Sequence, residues 1–304
     1  MRYMPSEDAR PTAVGNSPQT ASGTAPFDTS PVRVDVSGLS HPGKVRARNE
    51  DHFLVMRLGR FLETVVTSLP AEEMKARTDE VGHVMIVADG MGGHAGGEQA
   101  SRMTITGLIK LALARPDWIF RLDTAVAADV RQRSKKRVQD LHTLLLNQGE
   151  QDPGLHGMGT TLTIVRNMGR QLHIVHVGDS RAYLLRNGRL HHLTRDHTYV
   201  QMLIDSGQLT KEEAVDFRGR HILVNALGGF NEDVEVDLDQ IALSNGDRIL
   251  MCSDGLTDMV DDDTIRQVLV EQHESQKACQ RLIDLALERG GKDNVTVVVA
   301  TYTF

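Results

Sequence analysis

Apolar positions along the chain follow two rhythms, and the switches between them lay out the elements. Val32-Arg33-Val34-Asp35-Val36 alternates with a period of two, as a half-buried strand does. Asp51 to Met56 reads as a second strand. From Arg57 to Gly82 the spacing is mixed and predicts an amphipathic helix broken at Pro70. The unbroken apolar run Val84-Met85-Ile86-Val87-Ala88 then predicts a buried strand that stops at Asp89. Five glycines follow (Gly90, Gly92, Gly93, Gly96 and Gly97), and they free the backbone to turn where side chains would clash. Helical spacing resumes behind Glu98 and predicts helices over about Gly97 to Ala114 and Leu122 to Asn147, the second with one highly charged face.

Strand-type runs then crowd together at Thr161 to Arg166, Gln171 to Val177, Ala182 to Arg186 and Arg189 to Leu193. Asn187-Gly188 joins the last two, and both residues tolerate the positive φ of a tight hairpin turn. Asp196 to Gly229 returns to helical spacing with a break at Gly207. Strands at Val234 to Ile241 and Asp247 to Cys252, helices near Asp262 to Glu271 and Ser275 to Arg289, and a strand from Val295 to Tyr302 complete the chain. Hairpins with helices inserted between groups of strands predict an α+β domain and not a βαβ array.

Composition changes this picture in three places. Residues 1 to about 31 hold five of the nine prolines and almost no apolar periodicity, which predicts a disordered or loosely packed tail ahead of one domain over 32–304. A net charge of −7 with both signs interspersed offers no basic footprint for nucleic acid. No apolar run approaches the ~18 residues of a membrane span, the N-terminus lacks the apolar core of a secretory signal, and the two cysteines offer neither a disulfide framework nor zinc spacing. A cytoplasmic protein, monomeric and away from membranes, is the expectation.

Candidate chemistry gathers at strand ends. Asp89, Asp179 and Asp254 each follow an apolar run, and Asp293 precedes another. Any one of them reads as an ordinary turn aspartate. Four with the same placement would bring like charges to one edge, where cations relieve the repulsion. Hard divalent ions such as Mg²⁺ and Mn²⁺ take such carboxylates and close-lying backbone carbonyls. Glu50 and Asp51 are further oxygen donors, and Arg46 has the planar fork of donors that holds a phosphate. The GMGTT stretch at 157–161 lacks the lysine of a phosphate-cradling loop. Neither Cys252 nor Cys279 has an arginine six residues on, and Ser180 and Ser253 have no evident base partner, so a covalent nucleophile is not indicated.

Assembled in order, RARNED at 46–51, VADGMGGHAGGEQAS at 87–101, GMGTT at 157–161, HVGDSRAYLLRNGRL at 176–190, LTRDHT at 193–198, SDGLTDMV at 253–260 and GGKDNVTVVV at 290–299 resemble the metal-dependent serine/threonine protein phosphatases of type 2C, in their compact bacterial form. The resemblance implies two packed antiparallel β-sheets flanked by helical layers. It implies two Mn²⁺ or Mg²⁺ ions at one end of the sandwich, bridged by Asp89, with the Gly90 carbonyl completing one site and Asp254 and Asp293 the other. Glu50 and Asp51 correspond to ligands of metal water or their support, and Asp179 to a third, weaker ion shared with Asp254. Arg46 corresponds to the phosphate-binding arginine, Asn294 and His94 to supporting residues, and 196–229 to a flap beside the site. The implied reaction is hydrolysis of phosphoserine and phosphothreonine on proteins by a metal-bridging hydroxide, opposing Ser/Thr kinases. Three positions depart from the pattern: Met91 stands where many eukaryotic members carry a histidine, Asn225 where bacterial members often carry a flap arginine, and 57–82 is longer than in compact members. A scaffold that binds phosphoproteins without turnover, and a two-metal nuclease, are the competing readings.

Overall fold

A computed structural model describes residues 32–70, 76–92, 96–114, 124–214 and 217–304. The predicted tail to residue 31 and the candidate His94 lie outside them. The strands are β1 (Arg33–His41), β2 (Asp51–Glu63), β3 (Arg77–Met91), β4 (Gly159–Thr160), β5 (Leu162–Met168), β6 (Gln171–Val177), β7 (Arg181–Arg186), β8 (Arg189–His192), β9 (Leu227–Gly228), β10 (Asp237–Ala242), β11 (Arg248–Cys252) and β12 (Val295–Thr303). The helices are α1 (Gly96–Ala114), α2 (Thr124–Gln151), α3 (Tyr199–Asp205), α4 (Lys211–Ala214), α5 (Asp254–Thr257), α6 (Asp262–Glu271) and α7 (Ser275–Glu288).

The unbroken apolar runs find their reason in the layering. In β12, Val295, Val297 and Val299 face α6 and α7, packing with Ile265, Val268, Ala278 and Leu282. The alternate residues Val298, Ala300 and Tyr302 face the other way, into a core shared with Met85, Val87, Ile249 and Met251. Strand β3 does the same in mirror fashion. Its Val84, Ile86 and Ala88 pack against Ala100 and Ile105 of α1 and Val138, Leu141 and Leu145 of α2. A strand buried on both faces has no need of a polar alternate residue, so period-two patterning disappears. The result is the expected α+β sandwich: one antiparallel sheet in the order β1-β12-β11-β7-β8, a second in the order β10-β6-β5-β3-β4-β9 with β2 on β3, and helices outside both.

Two expectations need correction. The stretch 57–82 is not a broken helix: among the described residues it lengthens both arms of a hairpin, pairing Asp51 with Asp89 and continuing to Glu63 with Arg77. Antiparallel pairing of partner strands supplies backbone hydrogen bonds that a short amphipathic helix would have to make alone, and the solvent-facing arm leaves Phe61 and Val81 exposed. The region 196–229 is only partly helical. Beyond α3 and α4 it forms turns, with Gly207 at φ 71°, and returns to the sheet through Leu227, which pairs with Thr160. Asn187-Gly188 makes the predicted hairpin, with φ 53° and 74°.

Candidate metal centre

The β2–β3 register sets two carboxylates side by side. Asp51 opens β2 directly opposite Asp89, and cross-strand partners carry their side chains to the same face. Asp89 is held through its backbone by the GMGTT stretch. Thr160 Oγ1 and the Thr161 amide each donate to the Asp89 carbonyl at 2.8 Å, and the Asp89 amide donates to Thr161 Oγ1 at 2.9 Å. Thr161 Oγ1 also shares a 2.7 Å hydrogen bond with Ser180, the neighbour of Asp179. The sequence reading missed this brace. Two adjacent hydroxyls entering a strand were its signal.

Gly90 comes next, and nothing larger fits there. A Cβ would lie 2.1 Å from the Gly97 carbonyl oxygen and 2.8 Å from that of Glu50. The two glycines let the end of β3 and the start of α1 touch backbone to backbone, with the Gly90 amide donating to the Glu50 carbonyl at 3.2 Å. Only glycine allows the two backbone segments to come this close.

Asp254 and Asp293 arrive from the other sheet, the first just after β11 and the second two residues before β12. Ser253 Oγ donates to Asp51 Oδ2 at 2.7 Å and accepts from the Thr296 amide at 2.9 Å, so one hydroxyl ties the two sheets together below the carboxylates. Asn294 fastens the 42–50 loop. Its Oδ1 accepts from the Glu50 amide at 2.8 Å, and its Nδ2 donates to the carbonyls of Pro42 and Arg48 at 2.9 and 2.8 Å. Arg46, on that loop, donates to Asp293 Oδ2 at 2.7 Å and remains more than half exposed.

The electrostatics of the cluster identify what would fit it. Burial, and then the charges of Asp51, Asp254, Asp179 and Asp293, push the Asp89 carboxyl well above the carboxylate range. Burial and then Asp179, Asp258 and Asp293 do the same to Asp254. Asp51 is pushed up to about 6 by burial, Asp179 to about 7, again by burial first, and Glu50 upward for the same first reason. Asp51 Oδ1 is buried and accepts no hydrogen bond. Buried oxygens that repel one another, one of them without a donor, are the donor set of hard divalent cations.

The sequence reading also passed over Asp258 and His221. Their ligand-type atoms and one from Asp254 all lie within 4.8 Å of one another. Asp258 follows Asp254 by four residues, one helical turn, and this spacing was readable. His221, in the 196–229 region, had no local signal. Asn225 is a staple within that region, not a group facing the carboxylates: its Nδ2 donates to His197 Nδ1 and the Glu235 carbonyl, both at 2.8 Å. Cys252 and Cys279 are buried thiols, each pushed up to about 12 by burial. No helix among the described residues is long and apolar enough to cross a membrane.

Known proteins resemble the chain in sequence and in fold. The family model described as protein phosphatase 2C matches residues 72–288. Serine/threonine protein phosphatase PstP of Mycobacterium tuberculosis is 45% identical over 219 residues, 71% of this chain and 40% of that protein. The chain therefore spans about two fifths of the length of that relative. Serine/threonine phosphatase stp of Listeria welshimeri is 35% identical over 216 residues, 71% of this chain and 83% of its own length. A crystal structure of the PstP catalytic domain in complex with two manganese ions superposes with a TM-score of 0.69 at 37% identity, covering 90% of this chain and all of that one.

Proposed function

The chain belongs to the protein phosphatase 2C family, and from that premise we propose that it is a metal-dependent protein phosphatase that hydrolyses phosphoserine and phosphothreonine on proteins. The observation that carries the reading is the meeting of Asp51, Asp89, Asp254 and Asp293 from two sheets, where burial and mutual repulsion push the Asp89 and Asp254 carboxyls well above the carboxylate range. Asp89 and the Gly90 carbonyl would hold one divalent ion, and Asp89, Asp254 and Asp293 a second. Glu50 and Asp51 would support the pair, and Asp179 would hold a weaker third ion. Mn²⁺, as in the relative's crystal structure, or Mg²⁺ suits this oxygen set. When bound, the ions supply charge for the phosphoryl oxygens and bring the pKa of a water near neutrality.

The chain's own residues do the rest. Thr160 and Thr161 fix the Asp89 backbone from both sides, and Asn294 fixes the loop that carries Arg46 and Glu50. Arg46 spends one nitrogen on Asp293 and offers its remaining donors to the phosphate, so that orientation is set before reaction. The serines and the cysteine beside the cluster are not placed as nucleophiles: Ser180 and Ser253 are fully buried hydrogen-bond partners, and burial pushes the Cys252 thiol up to about 12. Direct hydrolysis is the reaction this arrangement suits. His94 is read as a support of the glycine loop, not as the proton donor to the leaving alcohol. Residues 32–304 form the catalytic domain, with 196–229 its flap. The partners are phosphoproteins, a Ser/Thr kinase and its substrates among them, and the setting is the cytoplasm with the chain as a monomer.

Phosphate release from an aryl phosphate tests the reading. Turnover should require added Mn²⁺ or Mg²⁺ and stop on chelation. Binding of a phosphopeptide without any metal-dependent turnover would replace the enzyme with a scaffold.

A further inference from the structure

Beside the carboxylates, the 42–50 loop and the 291–294 turn are closed onto each other as one lobe. The Lys44 amide donates to the Gly291 carbonyl at 2.7 Å, and Asn294 holds the loop through Pro42, Arg48 and Glu50. Gly43, at φ 78°, makes the contact possible, since a Cβ there would lie 2.2 Å from the Asp293 carbonyl oxygen. Arg46 reaches across the same junction to Asp293. The remaining charged side chains of the lobe carry none of this load, apart from Glu50 at its base, and they are all cations. Lys44, Arg48 and Lys292 are exposed, and none of the three makes a hydrogen bond or ion pair through its side chain with another described residue. Exposed cations on α7 and just beyond it do meet acids: Lys277 pairs with Glu274, Arg281 with Glu288 and Arg289 with Asp261. A chain of net charge −7 therefore presents unpaired positive charge around Arg46. Such a patch attracts anions and raises their local concentration.

We infer that this lobe is a specificity surface that selects phosphoresidues flanked by aspartate or glutamate. The inference rests on the proposed function for the seat of the phosphate on Arg46, and it deepens that reading by naming the sequence around the phosphate. Lys44 and Arg48 each lie two residues from Arg46, within about 7.6 Å along the chain. In an extended peptide the residues one and two positions from a phosphothreonine stand roughly 3.5–7 Å away, so the two spans match. The cations sit on separate residues of two segments, an arrangement that meets several single charges better than one dianion. Lys44 and Lys292 act as point charges and need no fixed approach, which suits peptides that differ in sequence. Being exposed, the surface is screened by salt. It acts on encounter and register more than on the chemical step.

Steady-state kinetics of the full chain with Mn²⁺ test this on four phosphothreonine peptides of equal length. Their flanks are aspartate, alanine, lysine, or alanine with a second phosphothreonine. Wild-type kcat/KM should be about tenfold higher with aspartate than with alanine flanks, and lower again with lysine. The difference should close in 1 M salt, where the Debye length is about 3 Å. Lys44→Gln/Arg48→Gln/Lys292→Gln should bring the aspartate-to-alanine ratio close to one. That ratio is read within each protein, so a general loss of activity cancels. All three positions are exposed, and equal melting temperatures check that the variant folds. Removing the same charge on the outer helices α2 and α7, as Lys136→Gln/Lys277→Gln/Arg281→Gln, should keep the wild-type ratio. The proposal is overturned if wild type treats aspartate and alanine flanks alike, if the ratio survives the lobe variant or is lost in the helix variant, or if only the second phosphothreonine accelerates turnover. If no peptide is turned over, the proposed function fails and fluorescence anisotropy of the same peptides decides the inference. An inactive chain whose Kd still favours aspartate flanks, and loses that preference in the lobe variant, leaves the lobe standing; equal Kd values overturn it.

Discussion

Asp51 and Asp89 on one side, and His221 and Arg220 on the other, border the same cluster but are held by different forces. The two aspartates sit in paired strands with two threonines and a serine bonded around them. Their positions are fixed by ladders whose backbone hydrogen bonds are shielded from water. His221 and Arg220 belong to a turn-rich loop, are partly exposed, and stand 3.6–4.0 Å from the carboxylates. Exposed charge contacts are individually weak, with a median near 0–1 kcal/mol. The rigid half suits groups whose geometry must not change during reaction, and the loose half suits groups that come and go with ions and substrates.

That contrast predicts where substitutions are most damaging. Asp254→Asn or Asp293→Asn should lower kcat at saturating Mn²⁺ by ~10²-fold or more, because each removes a charge on which phosphoryl-transfer electrostatics depend. Circular dichroism should find the fold unchanged. A variant that kept above about a tenth of wild-type kcat would remove that residue from the ligand set. Thr161→Val keeps the shape of the side chain but deprives the Asp89 amide of its acceptor and Ser180 of its partner. It should destabilise the chain by about 1–3 kcal/mol, the cost of leaving a buried polar group unmet, and a melting temperature equal to wild type would show that the brace does not hold Asp89.

A smaller effect distinguishes the strand scaffold from the flap by pH. His173, in β6, is held down to about 4 by burial and then by Arg166, and its Nε2 has no hydrogen-bond partner. Its folded value lies below the ordinary 6.5, so the unfolded chain takes up the proton first. The stability it contributes is present above pH ~6.5 and is lost as pH falls toward 4, an amount of order 1–2 kcal/mol once its partial exposure is allowed for. His173→Asn should flatten the fall in melting temperature across that window. An unchanged slope would mean that the imidazole titrates as if it were in water. Smallest of all should be the effect of removing residues 1–30: kcat/KM on an aryl phosphate should fall less than tenfold, which is under about 1.4 kcal/mol. A larger loss would place the tail on the site.

The same contrast separates what could be read in the sequence from what could not. Carboxylates at the mouths of apolar runs announced Asp89, Asp179, Asp254 and Asp293, since a strand end is a local fact. The Asn187-Gly188 hairpin was equally local. The pairing of Asp51 with Asp89 depends on a register set across a hairpin whose distal part, 57–82, reads as a broken helix between two separate strands. Phe61, Leu62, Val65, Val66 and Leu69 imitate helical spacing, and only the partner strand at 77–82 overrides it. His221 is the extreme case. Nothing in its neighbours marks it, because its relation to Asp258 exists only after the flap has folded back.

The most direct test of the central claim follows phosphate release from a phosphothreonine peptide at fixed Mn²⁺, with and without excess chelator. The account predicts steady turnover with Mn²⁺ and a loss of ~10²-fold or more when the ion is removed, restored by adding Mn²⁺ back. Turnover that persists in chelator would contradict it, because the buried carboxylates would then serve some purpose other than holding ions for hydrolysis.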